Sequence, residues 1–509
     1  MTTANPIMET KPASFTIRQT ALWVAIGLCF SVGLVVRLFD LTDLPLDFHP
    51  TRQLHSALMA RGMYYQDLES APQWQREMAV RQWKMEGVIE PPFMEWLAAK
   101  TYQLAGAELL WLPRLFSIIF WMAGGIGLLL WARKIGSLEG AVAALAFYLI
   151  LPYGVIASRA FQPDPLMTAL TIWSLWAVSR WSSHPNWENS LLAGVLGGAA
   201  ILSKSVAVFF VAPAFAAAVL TTLGFKNALR SGRIWLMAFL VLLPYALYHI
   251  YGVYLAGFLQ SQFSQRFFPA MWFNPGFYLQ WSRKINLVTG LPWFLLGVLG
   301  SFLYRARRVR TMLVSLWTGY FLYGIVLPYH ISTHDYYHLP LIPLVAVGLA
   351  GGVPLVRDHL RGPVWQQKVL LWGLLIFGVG YYAWDARTTL KRVDYRPEAN
   401  YWQEIGAFLG HDSNVIALTQ DYGARLEYWG WVTIINWPWL GDLSFQGQPT
   451  TAENTVIRFE QQAAGRDYFL VTAPEELERQ PALKDLLAAY TVVFREGDAV
   501  IYDLKLPLH

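Results

Sequence analysis

Apolar runs close to the length of a bilayer crossing recur through the first three quarters of this 509-residue chain. A spanning helix takes about 20 mostly apolar residues. Such runs cover roughly 19–38, 112–132, 138–157, 165–181, 190–203, 205–223, 234–255, 288–304, 311–328, 339–356 and 368–385. Inside lipid, backbone polar groups must be satisfied within the chain, so runs of this kind become helices. Only 14% of the residues are charged, against about 25% in an ordinary soluble domain. That excludes a disordered chain and argues against a soluble enzyme.

Charge divides the chain further. Residues 1–385 carry a net charge of +11 and residues 386–509 a net of −6. Lys and Arg gather in alternate connections: Arg133-Lys134, Arg180, Lys226/Arg230/Arg233, Arg305/Arg307/Arg308/Arg310 and Arg357/Arg361. The connections between them, 157–164 and 329–338, hold a single basic residue, Arg159. Basic loops stay on the cytoplasmic side. This pattern predicts a cytoplasmic N-terminus in a bacterial inner (plasma) membrane. An odd number of spans then puts the acidic tail in the periplasm or outside the cell.

The expected fold is a polytopic α-helical membrane protein of about 11–13 spans over 1–385, with a C-terminal soluble α/β domain over 386–509. In the tail, 414–418 and 467–471 read as buried strands, 474–490 as helical, and 491–494 with 499–504 as a hairpin. The outer connection 39–111 is far longer than an ordinary loop, with helices expected at 51–66 and 91–105. The first run reads as a retained span rather than a cleaved signal peptide. Cys29 is the only cysteine, so no disulfide forms within the chain.

Charged groups at membrane depth are costly and mark function. Asp47 follows the first run, flanked by His49 and Arg52. Its structural alternative is a helix cap, although Pro50 makes Thr51 the better one. Glu90 precedes Pro91-Pro92, where a carboxylate sits beside a helix's positive end. Asp164 closes a second outer connection with Arg159 near enough to pair with it. Lys204 stands between two apolar runs, where a lone Lys snorkels or binds an anion. The segment 329–338 gathers His330, His334, Asp335, Tyr336 and His338. A further outer stretch, 256–287, brings Arg266, Arg283 and Lys284. All fall on one side once the charge pattern sets the topology. A carboxylate there can act as general base, and Lys or Arg can hold a phosphate leaving group.

These segments resemble a known family. Leu41 to Gln66 with its post-span Asp, Glu90-Pro91-Pro92-Phe93-Met94-Glu95-Trp96, Leu112-Pro113-Arg114-Leu115, Arg159 to Asp164, Leu202-Ser203-Lys204-Ser205 and His334 to Pro343 are similar, in order, to GT-C glycosyltransferases. The branch is that of protein O-mannosyltransferases and the lipid A aminoarabinose transferase, and the similarity covers about residues 20–355. It implies a polyprenyl-phosphate sugar donor, inverting transfer outside the membrane, and a catalytic Asp in the first loop, which Asp47 matches. Asp164 is the second catalytic candidate. Lys204, Arg266 and Arg283 are the candidates for holding the donor phosphate. Where relatives bind a divalent metal, the acid matching Glu90 pairs with a His in the large outer loop, and here 260–267 holds no His. The other expected partners are a lipid, glycan or protein acceptor and membrane lipids; no phosphate-loop motif occurs and no nucleic acid is expected. A transporter or flippase, or a non-catalytic assembly protein, are the competing classes.

Overall fold

The computed structural model describes residues 14–260, 267–360 and 363–507. Every apolar run predicted above is helical. Helix α1 (Ser14–Leu38) leads into a layer of three helices, α2 (Pro50–Tyr65), α3 (Gln73–Met85) and α4 (Phe93–Ala105). The bundle continues through α5 (Trp111–Ile135), α6 (Leu138–Ile150), α7 (Pro152–Ala157), α8 (Asp164–Ser183), α9 (Trp187–Ser203), α10 (Val208–Leu223), α11 (Phe225–Leu229) and α12 (Gly232–Ile250). It closes with α13 (Pro275–Thr289), α14 (Leu291–Phe302), α15 (Arg307–Val326), α16 (Pro328–Thr333), α17 (Leu341–His359) and α18 (Val364–Leu390).

Among the described residues, seven helical segments are long and apolar enough to cross a bilayer, or eight if α13 and α14, bent by 87° at Gly290, count as one. That is fewer than the 11–13 expected. The shortfall has physical causes: α6 has 13 residues before the chain turns at Leu151-Pro152, α9 has 17, and α8 carries Asp164 and Arg180. These helices are nonetheless part of the bundle, α8 lying against α5 and α9, and α9 against α12. Lys204, extended at φ −160°, separates α9 from the turn that opens α10.

Small residues set the closest approaches, as is usual between helices in lipid. Where α14 meets α17, a Cβ added at Gly348 would lie 2.0 Å from the Gly297 carbonyl oxygen, and one at Gly300 2.2 Å from that of Gly348. Only glycine permits that backbone contact.

The tail starts with α19 (Arg396–Leu409). It then alternates β1 (Val415–Leu418), β2 (Ile434–Asn436), α20 (Leu440–Phe445), α21 (Ala452–Ala463), β3 (Tyr468–Val471), α22 (Pro474–Glu478), α23 (Pro481–Leu487), β4 (Tyr490–Glu496) and β5 (Ala499–Pro507). The sheet order is β2-β1-β3-β5-β4, parallel in its first three strands and antiparallel thereafter. The helix expected over 474–490 is two short ones, because Pro481 removes a backbone donor mid-run. One sheet face buries Ile416, Leu418 and Phe469 against Trp437, Phe459 and Leu487. The other, with Val415, Ala417 and Leu470, shares a core with Leu54 and Leu58 of α2 and Met94 and Tyr102 of α4. The tail and the α2–α4 layer are therefore one packed unit.

A polar clasp reinforces this. Arg61 of α2 donates to Glu108 at 3.0 Å and to the Tyr428 carbonyl, and lies 3.7 and 4.2 Å from the ring centroids of Tyr428 and Trp431. Tyr428 returns a hydrogen bond to Glu108 at 2.8 Å.

Candidate active site

Asp47 lies in the turn joining α1 to α2. Its Oδ2 accepts a hydrogen bond from Arg114 Nη2 at 2.5 Å, and its Oδ1 one from Gln53 Nε2 at 3.4 Å. Arg114, in the first turn of α5, is fully buried. The remainder of its guanidinium donates to the carbonyls of Asp43 at 2.7 Å, Leu41 at 3.3 Å and Arg159 at 3.4 Å. Two more buried arginines extend this support. Arg37 donates to Ser158 Oγ and to the carbonyls of Gly33 and Leu149, each at 2.7 Å. Arg159 donates to the Asp40 carbonyl at 2.9 Å. Burial, and then the neighbouring Arg114, push the Arg159 guanidinium down to about 10. The loop that carries Asp47 is thus held by charge-assisted bonds to its own backbone, the stronger kind. Arg114 sat in a quoted motif, yet nothing in the sequence linked it to Asp47.

No side chain caps α2. Its first residue is Pro50, His49 precedes it, and Thr51 instead donates to Asp421 Oδ1 at 3.1 Å. The capping alternative for Asp47 therefore falls away. His49 takes a left-handed backbone, φ 44° and ψ 68°. Its Nε2 is bonded to Asp335 Oδ1, and its ring meets Tyr336 edge-on at 4.8 Å.

Asp164 does not pair with Arg159, the partner its structural alternative offered. It accepts two hydrogen bonds from Lys204 Nζ, at 2.8 and 2.9 Å. Arg159 is instead directed to the Asp40 carbonyl, while the break after α9 delivers Lys204 to the start of α8. The ammonium also lies 4.9 and 4.7 Å from the rings of Tyr336 and Tyr337.

Arg52 pairs with Glu90 at 3.4 Å, and its Nε is buried with no hydrogen-bond partner among the described residues. Glu90 stands before α4, which starts at Phe93. Among the described residues no three His, Cys, Asp or Glu side chains converge as metal ligands. Glu90, the metal ligand the resemblance implied, faces Arg52.

His338 uses both ring nitrogens inside the fold, with Tyr320 Oη at 2.7 Å and the Ile331 carbonyl at 2.8 Å. His334 bonds Thr333 Oγ1 at 2.7 Å. Its imidazole is pushed down to about 4 by burial, with His49 and Lys284 adding to the effect. On α13, Arg283 is exposed while the adjacent Lys284 carries charge toward His334 and Asp335. Arg266 lies outside the described residues. His49, Asp335, Tyr336, Lys204 and Asp164 are therefore linked by direct contacts, Arg52 is within electrostatic reach of Tyr336 and Asp164, and Asp47 precedes His49 by two residues on the same turn.

Residues 89–251, about a third of the chain, match the family described as dolichyl-phosphate-mannose-protein mannosyltransferase. The structure is similar to that of ArnT from Cupriavidus metallidurans in the apo state, with a TM-score of 0.58 at 17% identity, covering 96% of this chain and 98% of that one. The same protein bound to undecaprenyl phosphate matches with a TM-score of 0.58 at 17% identity, over 95% and 98%. The archaeal oligosaccharyltransferase AglB from Archaeoglobus fulgidus, in complex with an inhibitory peptide and a dolichol-phosphate, matches with a TM-score of 0.57 at 11% identity, over 93% of this chain and 73% of that one. No curated protein sequence matches the chain. The chain shares the overall fold of these solved proteins, and its residues 89–251 match the mannosyltransferase family.

Proposed function

We propose that the chain transfers a sugar from a polyprenyl-phosphate donor to an acceptor hydroxyl of a lipid, glycan or protein, with inversion, at the face where the tail sits. That face is the periplasmic or extracellular one by the distribution of Lys and Arg, and the tail, residues 386–509, helps form the acceptor side. The observation that carries this reading is the Asp47 carboxylate, aimed and held by Arg114 at the mouth of the bundle. A solved GT-C relative bound to undecaprenyl phosphate supports the donor class.

Asp47 orients the acceptor hydroxyl or takes its proton as the oxygen attacks the anomeric carbon opposite the departing phosphate. Positive charge for that phosphate is to hand in Lys204, in Arg52 with its unused Nε, and in Lys284; Arg283 and Arg266 are the further candidates. Asp164 sets the position of Lys204. Purified protein given labelled polyprenyl-phosphate sugars tests the reading. Transfer is expected in the wild type. Asp47→Asn keeps the shape of the side chain and removes its charge, and it should lower turnover by about 10²–10⁴ while melting normally. Near-normal transfer by a folded Asp47→Asn protein would remove Asp47 from the chemistry.

A further inference from the structure

We infer that His49 and Asp335 form a proton-accepting dyad for the transfer, with His49 Nδ1 as the atom that takes the acceptor's proton while Asp47 orients the acceptor hydroxyl. The inference rests on the proposed transfer reaction and names a residue within it.

Three independent features of His49 lead here. The first is its backbone. Positive φ is uncommon outside glycine, and histidine is one of the residues that adopt it most readily. Here it sits immediately before Pro50, whose ring already restricts the preceding residue. The conformation separates His49 from the course of α2 and turns its ring toward the segment 335–336.

The second feature is the ring's hydrogen bonding. Asp335 is acceptor-only when ionised, so its bond to Nε2 places the proton on that nitrogen. The other nitrogen, Nδ1, is then a lone-pair acceptor, and it has no hydrogen-bond partner among the described residues. His338 and His334 differ: the first has both nitrogens engaged, and the second has Nδ1 on Thr333. The third feature is access. The His49 side chain is 30% exposed, whereas Asp335 behind it is 14% exposed. An open base backed by a more enclosed carboxylate is the arrangement in which one group moves a proton and the other fixes its tautomer.

Asp47, with one oxygen on Arg114 and the other on Gln53, keeps lone pairs free to orient the acceptor hydroxyl. In the step we infer, the acceptor O–H proton passes to His49 Nδ1. The oxygen's electron pair forms the new bond to the anomeric carbon. The bond from that carbon to the phosphate oxygen breaks, and its electron pair leaves on the polyprenyl phosphate. The imidazolium later returns its proton to water.

Asparagine tolerates positive φ, so His49→Asn removes the imidazole with little backbone penalty, and His49→Gly leaves room for an added ring. With a polyprenyl-phosphate sugar as donor, His49→Asn should lose about 10²-fold or more in kcat with little change in KM. Added imidazole should restore part of the rate to His49→Gly. A structural latch would show neither the kcat-only loss nor the rescue. A readout independent of activity is the nitrogen NMR of histidine-labelled protein, in which the neutral His49 ring should carry its proton on Nε2 and lose that preference in Asp335→Asn. A folded His49→Asn protein with wild-type kcat, or a neutral ring protonated at Nδ1, overturns the dyad alone. A wild type that transfers from no polyprenyl-phosphate sugar overturns the donor reading and the dyad with it.

Discussion

Lys204 and Asp164 meet in a two-pronged ion pair, 2.8 and 2.9 Å, in which neither side chain is more than 4% exposed. Two charges so far from water are tolerated only together. Removing one strands the other, which costs about 3–5 kcal/mol, while replacing both by apolar groups is often neutral. Lys204→Met and Asp164→Leu should each lower the melting temperature of the detergent-solubilised protein strongly, and the double variant should recover most of the loss. Additive losses in that cycle would show that the pair is not a stabilising unit.

The α14–α17 contact gives a sharper stability test. Gly348→Val would drive a side chain into the Gly297 backbone, whereas a Cβ at Gly352, one turn along the same helix, meets nothing within 4 Å. Overpacking costs about 1–3 kcal/mol and sometimes more. Gly348→Val should therefore fail to accumulate as a folded protein or melt far lower. Gly352→Val should be close to wild type. Equal behaviour of the two in a thermal-shift measurement would contradict the glycine contact.

Glu427 predicts the pH dependence of the tail. Burial, with Glu86 as the second cause, raises its carboxyl from 4.5 to about 8. The folded state thus keeps a proton that the unfolded chain releases across that interval, so stability falls as pH rises. The contribution is complete below about 4.5 and lost on passing through about 8. Glu427→Gln cannot ionise, so its melting temperature should fall less than the wild type's between pH 6 and about pH 9. Parallel curves for the two proteins would remove Glu427 as the cause.

Orientation is tested by chemical labelling. Asp412 is 97% exposed on the tail. In a Cys29→Ala background, Asp412→Cys should react with a membrane-impermeant maleimide in intact spheroplasts. Labelling that requires lysis would reverse the topology and put the whole cluster on the cytoplasmic side.

How much of this was readable from residues alone depends on the range of each interaction. Bilayer-length apolar runs, the Pro-Pro start of α4 and the break at Lys204 are local signals, and each led to the right element. Helix α3 was missed because Gln73–Met85 is polar and lacks an apolar stripe of helical period. Strand β2, three residues long, is too short to register as alternation. The site shows the same division. Asp47, His49, Lys204 and Asp335 stood out as charges in an apolar chain, but their partners did not. Arg114 is 67 residues from Asp47, and Asp335 is 286 from His49. Such pairings are decided by how the bundle closes, which no spacing rule records. Asp164 follows the same rule: Arg159 was near enough to pair with it, and the fold brought Lys204 from 40 residues away.

The Arg61 clasp bears on how chains of this kind can be recombined. A chimaera joined at residue 385 would keep Arg61 and Glu108 from one parent and take the Tyr428 carbonyl and the Tyr428 and Trp431 rings from another. An arginine fitted between two specific aromatic faces and a carboxylate does not accept a foreign set. The portable module is discontinuous: the α2–α4 layer through Glu108 must travel with the tail, and the bundle helices stay behind.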